Sequence, residues 1–198
     1  MGSSPDTRIV KLKPGMTAAQ AFNDVTSEAA WESGHGGYSG TLAEKDGMVI
    51  VAQVKVDVTL EQLNAAVDLI ESIEMIGYEG YTFEGLFSVP TTTDCGWPCQ
   101  NGKVKVKTPV TLPDGSKAEM LVPVEHDTCH GTGKRPLATE EIARAKATAD
   151  RHIAAFALFF GKSRPALERA GAIYSEKWGP AAAIVAPNLA WFGGYCSS

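Results

Sequence analysis

Along this chain the apolar positions switch between two-residue and helical spacing, and each switch marks an element. Arg8 to Lys13 sets Ile9, Val10 and Leu12 among basic residues and ends at Pro14-Gly15, which predicts a short strand. Thr17-Ala-Ala-Gln20 has capping-box form, the threonine hydroxyl accepting from the third amide and the glutamine reaching back. Ala18, Ala21, Phe22, Val25, Ala29 and Trp31 then keep helical spacing up to Gly34, a residue suited to the position just past a helix end. Tyr38 to Glu44, a turn at Asp46-Gly47, and Met48 to Val56 carry a β-hairpin signature. Thr59-Leu-Glu-Gln62 is a second capping box, opening a helix with an apolar stripe of Leu60, Leu63, Val67, Ile70 and Ile73.

Tyr78 to Val89 alternates aromatics (Tyr81, Phe83, Phe87) and reads as extended. Pro90 and the threonines after it mark a boundary. Beyond the insert that follows, Thr139 opens a long helix to about Phe160 with Ile142, Ala145, Ala149, Ile153 and Phe156 inward. Ser163-Arg-Pro165 starts a shorter helix, proline being favoured in the first turn. Ala182–Val185 and Leu189–Phe192 return to strand character around a Pro187-Asn188 turn. Leaving the insert aside, this order predicts an α+β fold, a mixed or antiparallel sheet with helices on one face. The expected divisions are residues 1–93 and 137–198 as two parts of one core, with 94–136 as an inserted module.

Composition changes this picture little. With 44% hydrophobic and 21% charged residues the chain is an ordinary globular protein. A formal net charge of −5 argues against an extended nucleic-acid surface, which needs clustered lysine and arginine. Lys103, Lys105, Lys107, Lys117, Lys134 and Arg135 do gather in the insert, but Asp94, Asp114, Glu119, Glu125 and Asp127 sit among them. The amino terminus has no apolar stretch of signal-peptide length, and Ile153 to Phe160 is too short to span a bilayer. The expected setting is the cytoplasm, away from membranes, where thiols stay reduced and paired cysteines read as metal ligands.

The insert carries the most specific chemistry. Cys95-Gly-Trp-Pro-Cys99 and His126-Asp-Thr-Cys129 form a C-x3-C-x26-H-x2-C set, and a hairpin-like stretch turning at Asp114-Gly115 separates the two pairs. Three thiols and an imidazole are the donors that tetrahedral Zn²⁺ takes, and glycines after each pair let the backbone fold around an ion. His130 is a rival fourth ligand, although its position suits a turn residue better. The alternative is that small buried cysteines and a surface histidine share no metal. Four protein ligands favour a closed structural site over a catalytic one, although Glu125 and Asp127 flank His126. The H-x-E and P-C-x-x-C order of zinc deaminases is absent.

The segment His126-Asp-Thr-Cys129-His-Gly131-Thr-Gly133-Lys134 resembles the C-x-x-C-x-G-x-G repeats of the DnaJ cysteine-rich domain, and zinc-ribbon knuckles generally, with histidine in place of the first cysteine. The first pair departs from that pattern by one extra residue between the cysteines and one missing glycine. The resemblance covers only these knuckles and implies a zinc-held turn pair; chaperone activity does not carry over. The blocks Tyr38-Ser-Gly-Thr-Leu-Ala-Glu-Lys45 and Lys177-Trp-Gly-Pro-Ala-Ala-Ala-Ile look like those of small uncharacterised bacteriophage and actinobacterial proteins. That likeness implies a shared core whose two ends meet, and no activity.

A second constellation, Glu32-Ser-Gly-His35-Gly-Gly-Tyr38-Ser39-Gly-Thr41, packs glycines with a histidine, a tyrosine and hydroxyls. Such a loop can cradle an anion, although no standard nucleotide-binding glycine pattern occurs. It reads either as a helix end followed by a tight turn or as an active site using His35, Tyr38, Ser39 and Thr41. His152 is expected at the surface or at a satisfied core edge, and Cys196 as a free thiol or one buried by the last strand. The leading expectation is a small zinc-binding module for a protein or nucleic-acid partner, with Trp97 as an exposed aromatic. The rival is an enzyme built on the glycine-rich loop, with zinc only structural.

Overall fold

The computed structural model describes residues 3–33, 39–76, 81–95, 99, 103–111 and 117–197. In chain order the elements are β1 (Ser3–Lys11), α1 (Ala18–Ser33), β2 (Met48–Gln53) and α2 (Leu60–Ile73), then β3 (Thr92–Asp94), β4 (Lys103–Thr111), β5 (Lys117–Glu125) and β6 (Lys134–Pro136). They continue with α3 (Thr139–Phe160), α4 (Arg164–Ser175), β7 (Ala181–Val185) and β8 (Leu189–Ser197). The chain forms two compact units, Met1–Phe87 with Thr148–Ser198, and Ser88–Ala147. None of the described helices is long and apolar enough to cross a membrane.

The first unit is built on a four-stranded sheet in the order β1-β8-β7-β2. β8 pairs antiparallel with both β1 and β7, whereas β2 pairs parallel with β7. The class is α+β with a mixed sheet, as the pattern of elements predicts. The helices, however, cover both faces. Ala181, Ala183, Ala190 and Phe192 pack with Ala21, Phe22 and Val25 of α1. Ala182, Ile184, Leu189 and Trp191 face the other way, in one cluster with α2 and α4. The expectation of helices on one face is therefore corrected. The signal was in β7 itself: Ala181–Val185 has no polar residue, as a strand buried on both sides requires.

Local capping rules hold well. Thr17 and Gln20 bond reciprocally, amide to side chain at 2.9 and 3.2 Å, and Thr59 and Gln62 do so at 2.8 and 3.1 Å. Ser163 Oγ accepts from the Ala166 amide at the start of α4. Long-range placement departs from the sequence pattern. Asp46-Gly47 does not close a hairpin, because Leu42–Glu44 winds into a 3-10 turn around a fully buried Leu42 and β2 takes β7 as its partner. The segment around Phe83 is not extended: Glu84–Phe87 forms a 3-10 turn, and Phe83 and Phe87 pack edge-on and tilted against Phe156. In α3 the buried set is Ala149, His152, Ala155, Phe159 and Phe160, with Ile142 and Ile153 exposed. His152 sits in the core with its Nδ1–H donating to Leu86 O at 3.0 Å, while its buried Nε2 has no hydrogen-bond partner among the described residues.

In the second unit, β4 and β5 pair antiparallel from Lys103 opposite Glu125 to Thr111 opposite Lys117. The turn expected at Asp114-Gly115 lies outside the described residues. β3 and β6 form a second antiparallel ladder that the sequence pattern does not announce. Arg135 grips both carboxylate oxygens of Glu141 at 2.8 and 2.7 Å, joining β6 to the first turn of α3.

Candidate metal centre

Strand ends bring the four ligand candidates together. Cys95 follows β3 directly, His126 follows β5, and Cys129 lies in the turn leading to β6. Pairing of β3 with β6 sets Cys95 beside the second knuckle, where its amide donates to Gly133 O at 2.9 Å. The turn itself is held by the Cys129 amide on His126 O at 3.1 Å, the Thr132 amide on Cys129 O at 2.9 Å, and Thr132 Oγ1 on Cys129 O at 2.6 Å. His130 has φ 47°, a conformation that disfavours side chains, and Gly131 and Gly133 follow at φ 79° and 76°. These positive values reverse the chain tightly enough to hold Cys129 inside, only 3% exposed.

One ligand atom from each of Cys95, Cys99, His126 and Cys129 lies within 4.8 Å of all the others, so the group can hold a metal ion. Cys99 Sγ and Cys129 Sγ are 3.7 Å apart, and Cys129 Sγ is 3.8 Å from His126 Nδ1. At tetrahedral angles, metal–sulfur bonds of about 2.3 Å give sulfur–sulfur edges of about 3.8 Å, and a metal–nitrogen bond of about 2.0–2.1 Å gives a sulfur–nitrogen edge of about 3.6 Å, so these two separations are compatible with zinc. Cys95 Sγ and His126 Nδ1 are closer, at the hydrogen-bond distance of 2.8 Å. His126 rather than His130 supplies the nitrogen, and the exposed His130 serves the turn. Glu125 is exposed with its carboxylate end against Gly131, where an added Cβ would come within 3.3 Å of Glu125 Cδ.

The thiols do not behave alike. Burial, and then the neighbouring thiols of Cys129 and Cys99, push Cys95 up to about 11. Burial opposes ionisation of Cys129 too, but hydrogen bonds from the Gly133 amide, Cys99, His126 and Cys95 outweigh it and bring that thiol down to about 7. A cation entering the cluster would displace these protons, because thiolates and neutral imidazole are the ligating forms.

The glycine-rich loop is described from Ser39 onward; His35 and Tyr38, like Trp97 of the first knuckle, lie outside the described residues. Ser39 and Thr41 hydroxyls bond each other at 2.8 Å, and Ser39 Oγ donates to Glu44 Oε1 at 3.1 Å. The Gly40 amide donates to the same oxygen at 2.8 Å, and the other carboxylate oxygen of Glu44 accepts from the Ser197 amide and hydroxyl. Lys45, 5% exposed, donates to Glu176 O at 2.8 Å and Lys177 O at 3.1 Å. The two sequence blocks thus meet where Lys45 bonds Lys177 O, and Glu44 ties the first of them to Ser197 of β8. Glu44 and Lys45 look like ordinary surface charges in sequence, and only the pairing of distant segments reveals their task. Cys196 is buried on β8, and burial pushes its thiol up to about 11.

Comparison with protein-family models, curated proteins and solved structures finds no match to this chain. The resemblances of the knuckles and of the end blocks therefore rest on those short motifs alone, and the metal cluster stands on its own geometry.

Proposed function

We propose that this chain is a zinc-binding protein whose Ser88–Ala147 unit is a metal-held module for docking a protein partner. The observation that carries the reading is the convergence of three thiols and one imidazole nitrogen, brought from two separate strand ends into one cluster. Four protein ligands leave no open coordination position, so zinc here acts as a structural clasp. Cys95, Cys99, His126 and Cys129 would hold it, and Thr132 and the Gly133 amide would orient Cys129.

Charge favours a protein over a nucleic acid. Lys107 pairs with Glu119 at 3.0 Å and Glu125 stands opposite Lys103 in the ladder, so acidic residues lie among the lysines of the hairpin. Val106, Leu121 and Val124 remain exposed on the same hairpin, an apolar content that suits a protein contact better than a phosphate backbone.

Native mass spectrometry of protein made with ample zinc tests the first half. About one zinc ion per chain is expected, and Cys99→Ser should lose the ion together with the ordered structure of this unit, since structural zinc contributes on the order of 10–16 kcal/mol in small fingers. Metal-free protein with unchanged structure in the unit would end the reading. Fluorescence anisotropy with single-stranded RNA and DNA tests the second half: salt-sensitive, sequence-tolerant binding would replace the protein partner by a nucleic acid.

A further inference from the structure

The two edges of the four-stranded sheet are unlike. β1 carries Pro5, Asp6, Arg8 and Lys11, a proline and charges of the kind that keep an edge from pairing with another strand. β2, at the opposite edge, reads Met-Val-Ile-Val-Ala-Gln, with neither charge nor proline, and its Ile50 is 44% exposed. No described strand pairs with its outer side. Its one irregularity is a register shift between Ile50 and Ala52.

That shift decides which backbone groups face outward. Gly47 O accepts from the Ala181 amide at 2.8 Å and the Val54 amide donates to Val185 O at 3.0 Å, so both ends of the segment face β7. Strand alternation counted inward from each end leaves Met48, Ile50 and Gln53 with amides and carbonyls directed away from β7.

We infer that two copies of this chain join antiparallel through their β2 edges, extending the sheet across a two-fold axis between Ile50 and Val51. In this register the outward-facing Met48 meets the partner copy at the outward-facing Gln53 position, as paired backbone hydrogen bonds require. The charges flanking the strand then complement each other: Asp46 and Lys55, both exposed, come opposite one another at each end. A register that instead paired the outward-facing Ile50 with Gln53 would set Asp46 against Asp57 and repel. The interface is isologous, so one complementary pair is used twice.

Light scattering and sedimentation on the full chain test this. The wild type should run as a dimer of 21.0 kDa chains, dissociating on dilution. Ile50→Pro removes an outward amide while sparing the ladder to β7, and should give a folded monomer. Lys55→Asp places like charges opposite each other and should raise the dimer dissociation constant about tenfold. Adding Asp46→Lys to it should restore the dimer to within about threefold of wild type, because the charges are exchanged and the register kept. Should Ile50→Pro fail to fold, the two surface charge variants still decide the matter. A wild type that stays monomeric at its highest soluble concentration overturns the inference. So does a dimer indifferent to the charge exchange, whose interface would lie elsewhere.

Discussion

The ammonium of Lys45 has exchanged most of its water for two carbonyls, Glu176 O and Lys177 O, just past the carboxyl end of α4. Backbone acceptors without helical partners concentrate negative charge there, so a cation is well placed. Burial lowers the pKa of Lys45, against the raising influence of Cys196, Glu176 and Glu44. Lys45→Ala removes both charge-assisted hydrogen bonds and should cost roughly 1.5–3 kcal/mol, read by denaturant unfolding. The Arg135–Glu141 pair gives a different kind of signature. Its guanidinium first, then the Ala138 amide, hold the Glu141 carboxyl down to about 2. A depressed folded value means that this group's stabilising contribution is complete above the ordinary carboxylate range, near pH 4, and is lost as pH falls toward about 2. Carbon-13 titration should place Glu141 at that low value, and Arg135→Gln should return it toward the ordinary range.

Helices α2 and α4 approach so closely that a Cβ on Gly171 would lie 2.0 Å from Ile73 Cγ2. A β-branched methyl cannot swing away freely, so Gly171→Ala should force the helices apart and cost roughly 1–3 kcal/mol in spite of alanine's better helix propensity. Thermal melting of the single variant checks this, and Gly171→Ala with Ile73→Ala should recover part of the loss. Among the elements, those set by contacts three or four residues apart were legible in sequence: both capping boxes, the proline start of α4, and the β7–β8 turn. The phase of α3 was not. Its apolar count fits more than one face, and Ile153 stays exposed while His152 turns inward, its Nδ1–H bonded to Leu86 O far along the chain.

At the scale of the whole molecule, both apolar clusters of the first unit draw their buried residues from outside Ser88–Ala147. Deleting Asp94 to Pro136 and closing with a short Gly-Ser link should therefore leave a soluble protein with one cooperative melt, since each sheet face keeps its helices. Calorimetry checks this, and a molten or aggregated product would show that the core depends on the deleted residues.

The sequence by itself picked out the ligand cluster as two short Cys/His pairs, of which the second turns on Gly131 and Gly133, while the pairing of β3 with β6 brings Cys95 to it. It determined most helices as well, through local caps and spacing. Tertiary structure alone decided that β2 runs parallel to β7, that α1 takes the opposite face from α2 and α4, and that Glu44 and Lys45 bond to Ser197, Glu176 and Lys177. Each depends on partners far apart in sequence. A strand's periodicity records which faces are buried, but not which strand lies beside it, since any backbone can supply the hydrogen bonds and only the packed side chains select the partner.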